Sequence, residues 1–210
     1  MRHPDSLNPE SMRAPTCKID NRIDINNNHT MGRLTILMGC MFAQKTTELL
    51  RRIRRYEAIG YKVLVVNYAQ DTRYGIHQIV SHDRTSCDAT TVLTLSEVEA
   101  EVRSSTYQVV VIDEGQFYGD LYECVTRWAD TTGVHLVVAG LSGDSDRKPF
   151  GDLLRLIPMA EEVELLTAFC SVCRDGTTAC FSKCIKAKAQ QVEIGGADAY
   201  VPVCRRHYLE

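Results

Sequence analysis

The stretch RLTILMGCMFAQKTTELLRR, residues Arg33 to Arg52, decides the fold. Arg33 to Met38 form a short apolar run of strand length. Gly39 then opens the spacing Gly, four residues, Gln44, Lys45, Thr46, which fits the phosphate-loop pattern G-x-x-x-x-G-K-[ST] at every defined position except the second glycine. Beyond the loop, Leu49, Leu50, Ile53 and Tyr56 recur at helical spacing. Arg51, Arg52, Arg54 and Arg55 fall mostly on the other face, and Gly60 is placed to end the helix. Strand, turn and helix in this order are the setting such a loop needs. Backbone N–H groups from Gly39 through Cys40, Met41, Phe42, Ala43 and Gln44 can surround phosphates, Lys45 can reach the terminal ones, and the Thr46 hydroxyl suits Mg²⁺.

Working outward, KVLVVN (62–67), QVVVID (108–113) and VHLVVAG (134–140) are continuous apolar runs of the kind that form strands buried on both faces of a parallel sheet. Between them, Ser96 and Glu99 have the spacing of a capping box, and Leu121, Cys124, Val125 and Trp128 mark the buried stripe of a further helix. The alternation predicts a doubly wound α/β domain over about residues 32–165, with ligands at the carboxyl ends of its strands. One of those ends carries two consecutive acids. In VVVIDEGQF (109–117), one of Asp113 and Glu114 can hold a metal's water shell while its neighbour, turned toward the cleft, serves as general base. In SHDRT (81–85), Asp83 can add a metal-shell acid and Arg84 a phosphate-facing cation. Taken alone, that segment reads as a solvated loop.

Composition narrows the class. The chain has 210 residues, 44% apolar and 24% charged, as in a globular protein, and a net charge of -3 gives no general reason to bind nucleic acid. No apolar run exceeds strand length, so no membrane-crossing helix is expected, and cytosol is the default location. Residues 1–31 hold three prolines and the run Asn26–Asn28 without an apolar signal segment, and read as a disordered arm. Met31, just before the first strand, marks an alternative start. Of nine cysteines, five crowd into residues 170–204, a pattern that suits metal binding better than a disulfide framework. Cys170-x₂-Cys173 and Cys204-x₂-His207 have zinc-ligand spacing, with Cys180 and Cys184 as spare candidates.

Together these stretches resemble the cytosolic-type (type II) thymidine kinases. The resemblance rests on GCMFAQKTTELLRRIRRY, DTRYG, SHDR, IDEGQFY, RKPFGDLLRLIPMAEEVELLTAFCSVC and VEIGGADAYVPVCRRHY, in family order over about residues 32–208. It implies an α/β fold: a RecA-like P-loop parallel-sheet domain (32–165) with a small C-terminal zinc-binding lasso domain (166–210). It also implies transfer of the γ-phosphoryl group of ATP to the 5′-hydroxyl of thymidine, or of deoxyuridine, with Mg²⁺. By match, Lys45 and Thr46 serve the phosphates and magnesium, Asp83 the metal's water shell and Arg84 the phosphate charge. Glu114 takes the hydroxyl proton, and Met41, Gln116 and Phe117 lie at the nucleoside. Val192, Ile194, Gly195, Gly196 and Tyr200 form the lasso loop over the base, and a structural Zn²⁺ on Cys170, Cys173, Cys204 and His207 anchors its ends. A homotetramer inhibited by the end-product triphosphate is also implied.

Three positions depart from the family pattern. Gln44 replaces the glycine before Lys45, where a side chain strains the turn and crowds phosphate. Ser142 and Ser145 stand where the family tends to have an acid or amide and an aromatic wall. His207 replaces a fourth cysteine, and Cys₃His remains a competent zinc set. These changes keep open a second reading, a nucleotide-binding but catalytically weakened copy. A third, a zinc-ribbon ATPase on nucleic acid, is disfavoured by the acidic balance.

Overall fold

The computed structural model describes residues 31–70, 77–81, 85–186 and 199–210, which belong to one unit spanning residues 31–210. Residues 1–30 of the proposed arm, His82, Asp83, Arg84 and the loop positions Val192, Ile194, Gly195 and Gly196 lie outside the described residues.

The predicted strands are present as β1 (Arg33–Gly39), β2 (Val63–Tyr68), β6 (Val109–Ile112) and β7 (His135–Leu141). Between β2 and β6 come the short strands β3 (Gln78–Val80), β4 (Ser86–Asp88) and β5 (Thr90–Val92). After β7 comes β8 (Glu162–Leu166). Six strands make one sheet in the order β5-β2-β6-β7-β1-β8, with every neighbouring pair parallel.

Alternate side chains of each strand go to opposite faces, and both faces are covered, as the continuous apolar runs required. Helix α1 (Lys45–Ala58) buries Leu49, Leu50 and Ile53 on the face that presents Leu37, Val65, Val111 and Val137. It ends where expected, with Gly60 at φ 82 donating its N–H to Glu57 O. On the other face, helices α2 (Glu99–Arg103) and α3 (Leu121–Thr131) bring Val102, Leu121, Val125 and Trp128 against Leu34, Ile36, Val110, Ile112 and Val138.

The capping box differs from the sequence reading. Thr94 and Glu97, two residues earlier than predicted, make it at a 3-10 turn over Leu95–Val98. The N–H groups of Leu95 and Ser96 are held by Asp120 at 3.0 and 2.9 Å, so a distant carboxylate sets where the helix begins. Glu99 is used elsewhere: it accepts from Arg127 and Trp128 Nε1, each at 2.6 Å, and pairs with Arg103.

β8 escaped the sequence reading because its pattern is inverted. Glu162 and Glu164 lean toward Arg52 of α1, at 3.1 and 2.7 Å, while Val163 and Leu165 are exposed. The described residues after β8 build a small cysteine-rich region of the same unit. It comprises β9 (Ala168–Phe169) paired with β10 (Thr178–Ala179), β11 (Phe181–Cys184) paired with β12 (Tyr200–Val203), and α4 (Arg205–Leu209), around Cys170, Ala179 and Val203. Among the described residues no helix is long and apolar enough to cross a membrane.

Candidate active site

β1 ends at Gly39, the chain turns through Cys40–Gln44, and α1 begins at Lys45. Gln44 occupies the N-cap at φ 59, ψ 32, and its carbonyl accepts the first helical bond from Glu48 N at 3.0 Å. The loop therefore keeps a left-handed backbone at the position of the missing glycine, with a side chain on it. For an L-residue that conformation costs about 1–2 kcal/mol. The Gln44 side chain is exposed, so strain rather than burial is the visible cost.

Lys45 folds back over its own loop, its Nζ donating to Cys40 O at 2.9 Å. The outer side of the loop leans on the cysteine-rich unit: Met41 N donates to Ser182 Oγ at 2.9 Å, and Cys40 Sγ to Ala179 O at 3.4 Å. Burial raises the Cys40 thiol above its ordinary range, so it acts as a packing group rather than a thiolate. A cavity of about 170 Å³ lies here, bounded by Cys40, Ser142, Asp144, Arg147, Cys180 and Ser182.

β6 and β1 are separated in the sheet by β7, yet their ends converge on one point. Thr46 Oγ1 donates to Asp113 Oδ2 at 3.0 Å, and the Glu114 N–H donates to Asp113 Oδ1 at 2.9 Å. Burial, and secondarily the neighbouring Glu114 carboxylate, push Asp113 up to about 7. Glu114 itself sits at φ 53, ψ 40, so here too a left-handed residue turns the chain, out of β6. Its Oε2 accepts from Gln116 Nε2 at 2.6 Å, and Gln116 Oε1 accepts from Leu141 N at 3.0 Å. The Phe117 ring stacks on Tyr68, with centroids 5.2 Å apart, and meets the edge of Phe150 at 5.4 Å.

Cys170, Cys173, Cys204 and His207 bring their ligand atoms within 4.8 Å of one another. A tetrahedral zinc site has S···S edges of about 3.8 Å and S···N edges of about 3.6 Å. Here Cys173 Sγ and Cys204 Sγ are 3.8 Å apart, and His207 Nδ1 lies 3.5, 3.3 and 3.4 Å from Cys170, Cys173 and Cys204. The donor set and its edges fit zinc. Cys180 and Cys184 do not join this cluster.

Sequence reasoning missed the contacts that tie this unit to the sheet. Arg147 lies over the Tyr208 ring, 4.4 Å from its centroid, and Tyr208 OH donates to Ser145 O at 2.9 Å. The only sequence signal was the RKPF run. Tyr200 lies buried on β12.

A phosphate loop on a parallel sheet, with a hydroxyl and two carboxylates meeting beside its lysine, defines a P-loop nucleotide-binding protein. The comparisons with known proteins narrow this class. The family model described as thymidine kinase matches residues 32–208. The cytosolic thymidine kinase of Gallus gallus is 40% identical over 179 residues, 85% of this chain and 78% of that protein. That of Homo sapiens is 40% identical over 181 residues, 86% and 75% of the two chains. The thymidine kinase of Myxoma virus (strain Uriarra) is 41% identical over 178 residues, 85% and 97%. The chain belongs to the thymidine kinase family.

Proposed function

We propose that this protein transfers the γ-phosphoryl group of ATP to the 5′-hydroxyl of thymidine, or of deoxyuridine, supplying a monophosphate for DNA synthesis. The observation that carries this reading is the meeting of Thr46 and Asp113 at 3.0 Å beside Glu114, because it puts a metal-binding hydroxyl, a metal-shell acid and a base at one point.

Phosphoryl transfer asks chiefly for alignment and charge neutralisation. In this reading the turn of Gly39–Gln44 and Lys45 bind the phosphates, Arg84 offsets their charge, and Asp83 would orient the metal's water shell. Thr46 and Asp113 hold Mg²⁺, which when bound offsets the phosphate charge. Glu114 takes the proton of the 5′-hydroxyl as its oxygen bonds to phosphorus and the bond to the leaving ADP oxygen breaks. Met41, Phe117, Tyr200 and the loop bearing Val192, Ile194, Gly195 and Gly196 enclose the nucleoside. Structural Zn²⁺ on the Cys₃His cluster is supported by the edge lengths above. A cytoplasmic location is supported by relatives named cytosolic, and self-association, in the family's manner a homotetramer, is in keeping with the exposed Val163 and Leu165 on an edge strand.

The test is incubation of pure protein with Mg-ATP and labelled thymidine. Thymidine monophosphate should form, and formation no faster than by the Glu114→Gln variant would sink the proposal. The left-handed Gln44 favours one second reading, a nucleotide-binding copy of reduced turnover, which a panel of nucleosides with ATP separates from an altered base preference.

A further inference from the structure

We infer that Gln116 is a positioning residue for Glu114, an inference that rests on the proposed role of Glu114 as the base. The chemistry of its two partners leaves Gln116 a single orientation. Leu141 N can only donate and the Glu114 carboxylate can only accept, so the carboxamide oxygen must face Leu141, at 3.0 Å, and its NH₂ must face Glu114, at 2.6 Å. Among neutral side chains of this length at ordinary pH, glutamine alone carries a dedicated acceptor and a dedicated donor.

The surroundings are shaped to keep this bridge in place. Gln116 is 3% exposed. A Cβ on Gly140 would come within 2.6 Å of Gln116 Oε1, and one on Gly151, at φ 59, within 2.2 Å of Gln116 O. Both neighbours must therefore be glycine for Gln116 to sit where it does. The bridge runs from the end of the rigid central strand β7 to a carboxylate carried on a left-handed turn. The Glu114 side chain has three rotatable bonds, and the bridge restricts the last of them. With one oxygen held, the rotation of the carboxylate is fixed, and with it the direction in which it takes the hydroxyl proton. Gln116 thus acts on the carboxylate of Glu114.

The experiment is steady-state kinetics of wild type, Gln116→Met and Gln116→Glu, alone and combined with Glu114→Gln, with melting temperatures for each. Gln116→Met keeps the length and loses both bonds. Gln116→Glu keeps the acceptor for Leu141 and sets a second acid against Glu114, so it tests the same link if the Met variant fails to fold. Each should lower kcat by about 10- to 100-fold, the range that small misplacement of a reacting group produces, with KM for thymidine within about threefold of wild type. On the Glu114→Gln background the added loss should be less than about twofold, since residues acting as a unit are non-additive. An unchanged kcat, a loss appearing in the thymidine KM, or the same loss with and without Glu114 would overturn the inference. A wild-type protein that makes no thymidine monophosphate would instead overturn the functional reading, and this inference with it.

Discussion

The Thr46 hydroxyl donates to the buried carboxylate of Asp113 at 3.0 Å, across 67 residues of sequence. Neither group needs the other for the fold, since each sits at the end of an element whose core is already formed. Replacing either, as Thr46→Ala or Asp113→Asn, should lower kcat by about 10- to 100-fold with the fold retained, as read by steady-state kinetics and circular dichroism.

Asp113→Asn should also make the ligand-free protein more stable. Burial holds the folded Asp113 at about 7 against an ordinary 3.8. Below 3.8 the acid is neutral in both states and costs nothing. As pH rises from 3.8 toward about 7 the unfolded chain is ionised while the folded one keeps its proton, so stability falls across that window and levels off above it. Melting curves should show a larger gain for the variant at pH 8 than at pH 5. An equal gain at both would count against the buried acid as its source.

Gln44→Gly should relieve the left-handed strain at φ 59. The relief of about 1–2 kcal/mol is partly offset by the backbone entropy glycine loses on folding, about 0.5–1 kcal/mol, leaving a net gain of about 0.5–1 kcal/mol. In a chain of this size that is a rise in melting temperature of about 1–4 °C. If turnover rises sharply as well, the missing glycine is the cause of weakened catalysis. If only stability changes, the loop already has its working shape.

Zinc should co-purify at about one ion per chain and be lost in Cys173→Ser and His207→Ala, while His207→Cys keeps it. Elemental analysis reads this directly. Because Met41 N rests on Ser182 of the same unit, removal of the metal should also weaken ATP binding.

His135 should impose an acid limit on stability. Its ring lies buried between Thr35 Oγ1 and Tyr56 OH, each at 2.9 Å, and burial holds it down to about 4 from an ordinary 6.5. Above 6.5 it is neutral in both states. As pH falls from there toward 4, the unfolded chain takes the proton first, and stability drops. In His135→Gln the fall in melting temperature between pH 7 and pH 5 should be smaller than in wild type.

Much of this was legible in sequence because it is local. The β1–loop–α1 run, the stripe of α3 and the Cys-x₂-Cys and Cys-x₂-His pairs each express their geometry within one continuous short stretch of chain. β8 was not legible, because Glu162 and Glu164 face inward only where Arg52 of another element meets them. The capping box was misplaced for the same kind of reason, Asp120 drawing the helix start back to Thr94.

By itself, then, the sequence determined the class of fold, the phosphate-loop pattern, the acid pair and two pairs of zinc-spaced ligands, since periodicity and short spacings are properties of the chain alone. Only the tertiary structure decided that Asp113 reaches Thr46, that Gln116 holds Glu114, and that Gln44 keeps a glycine's backbone conformation. Those depend on which strands become neighbours and how closely their ends approach, and no local pattern records that distance. The stretch from Arg33 to Arg52 named its loop in one dimension. The carboxylates that give the loop a chemical use come from β6, one strand beyond its neighbour in the sheet.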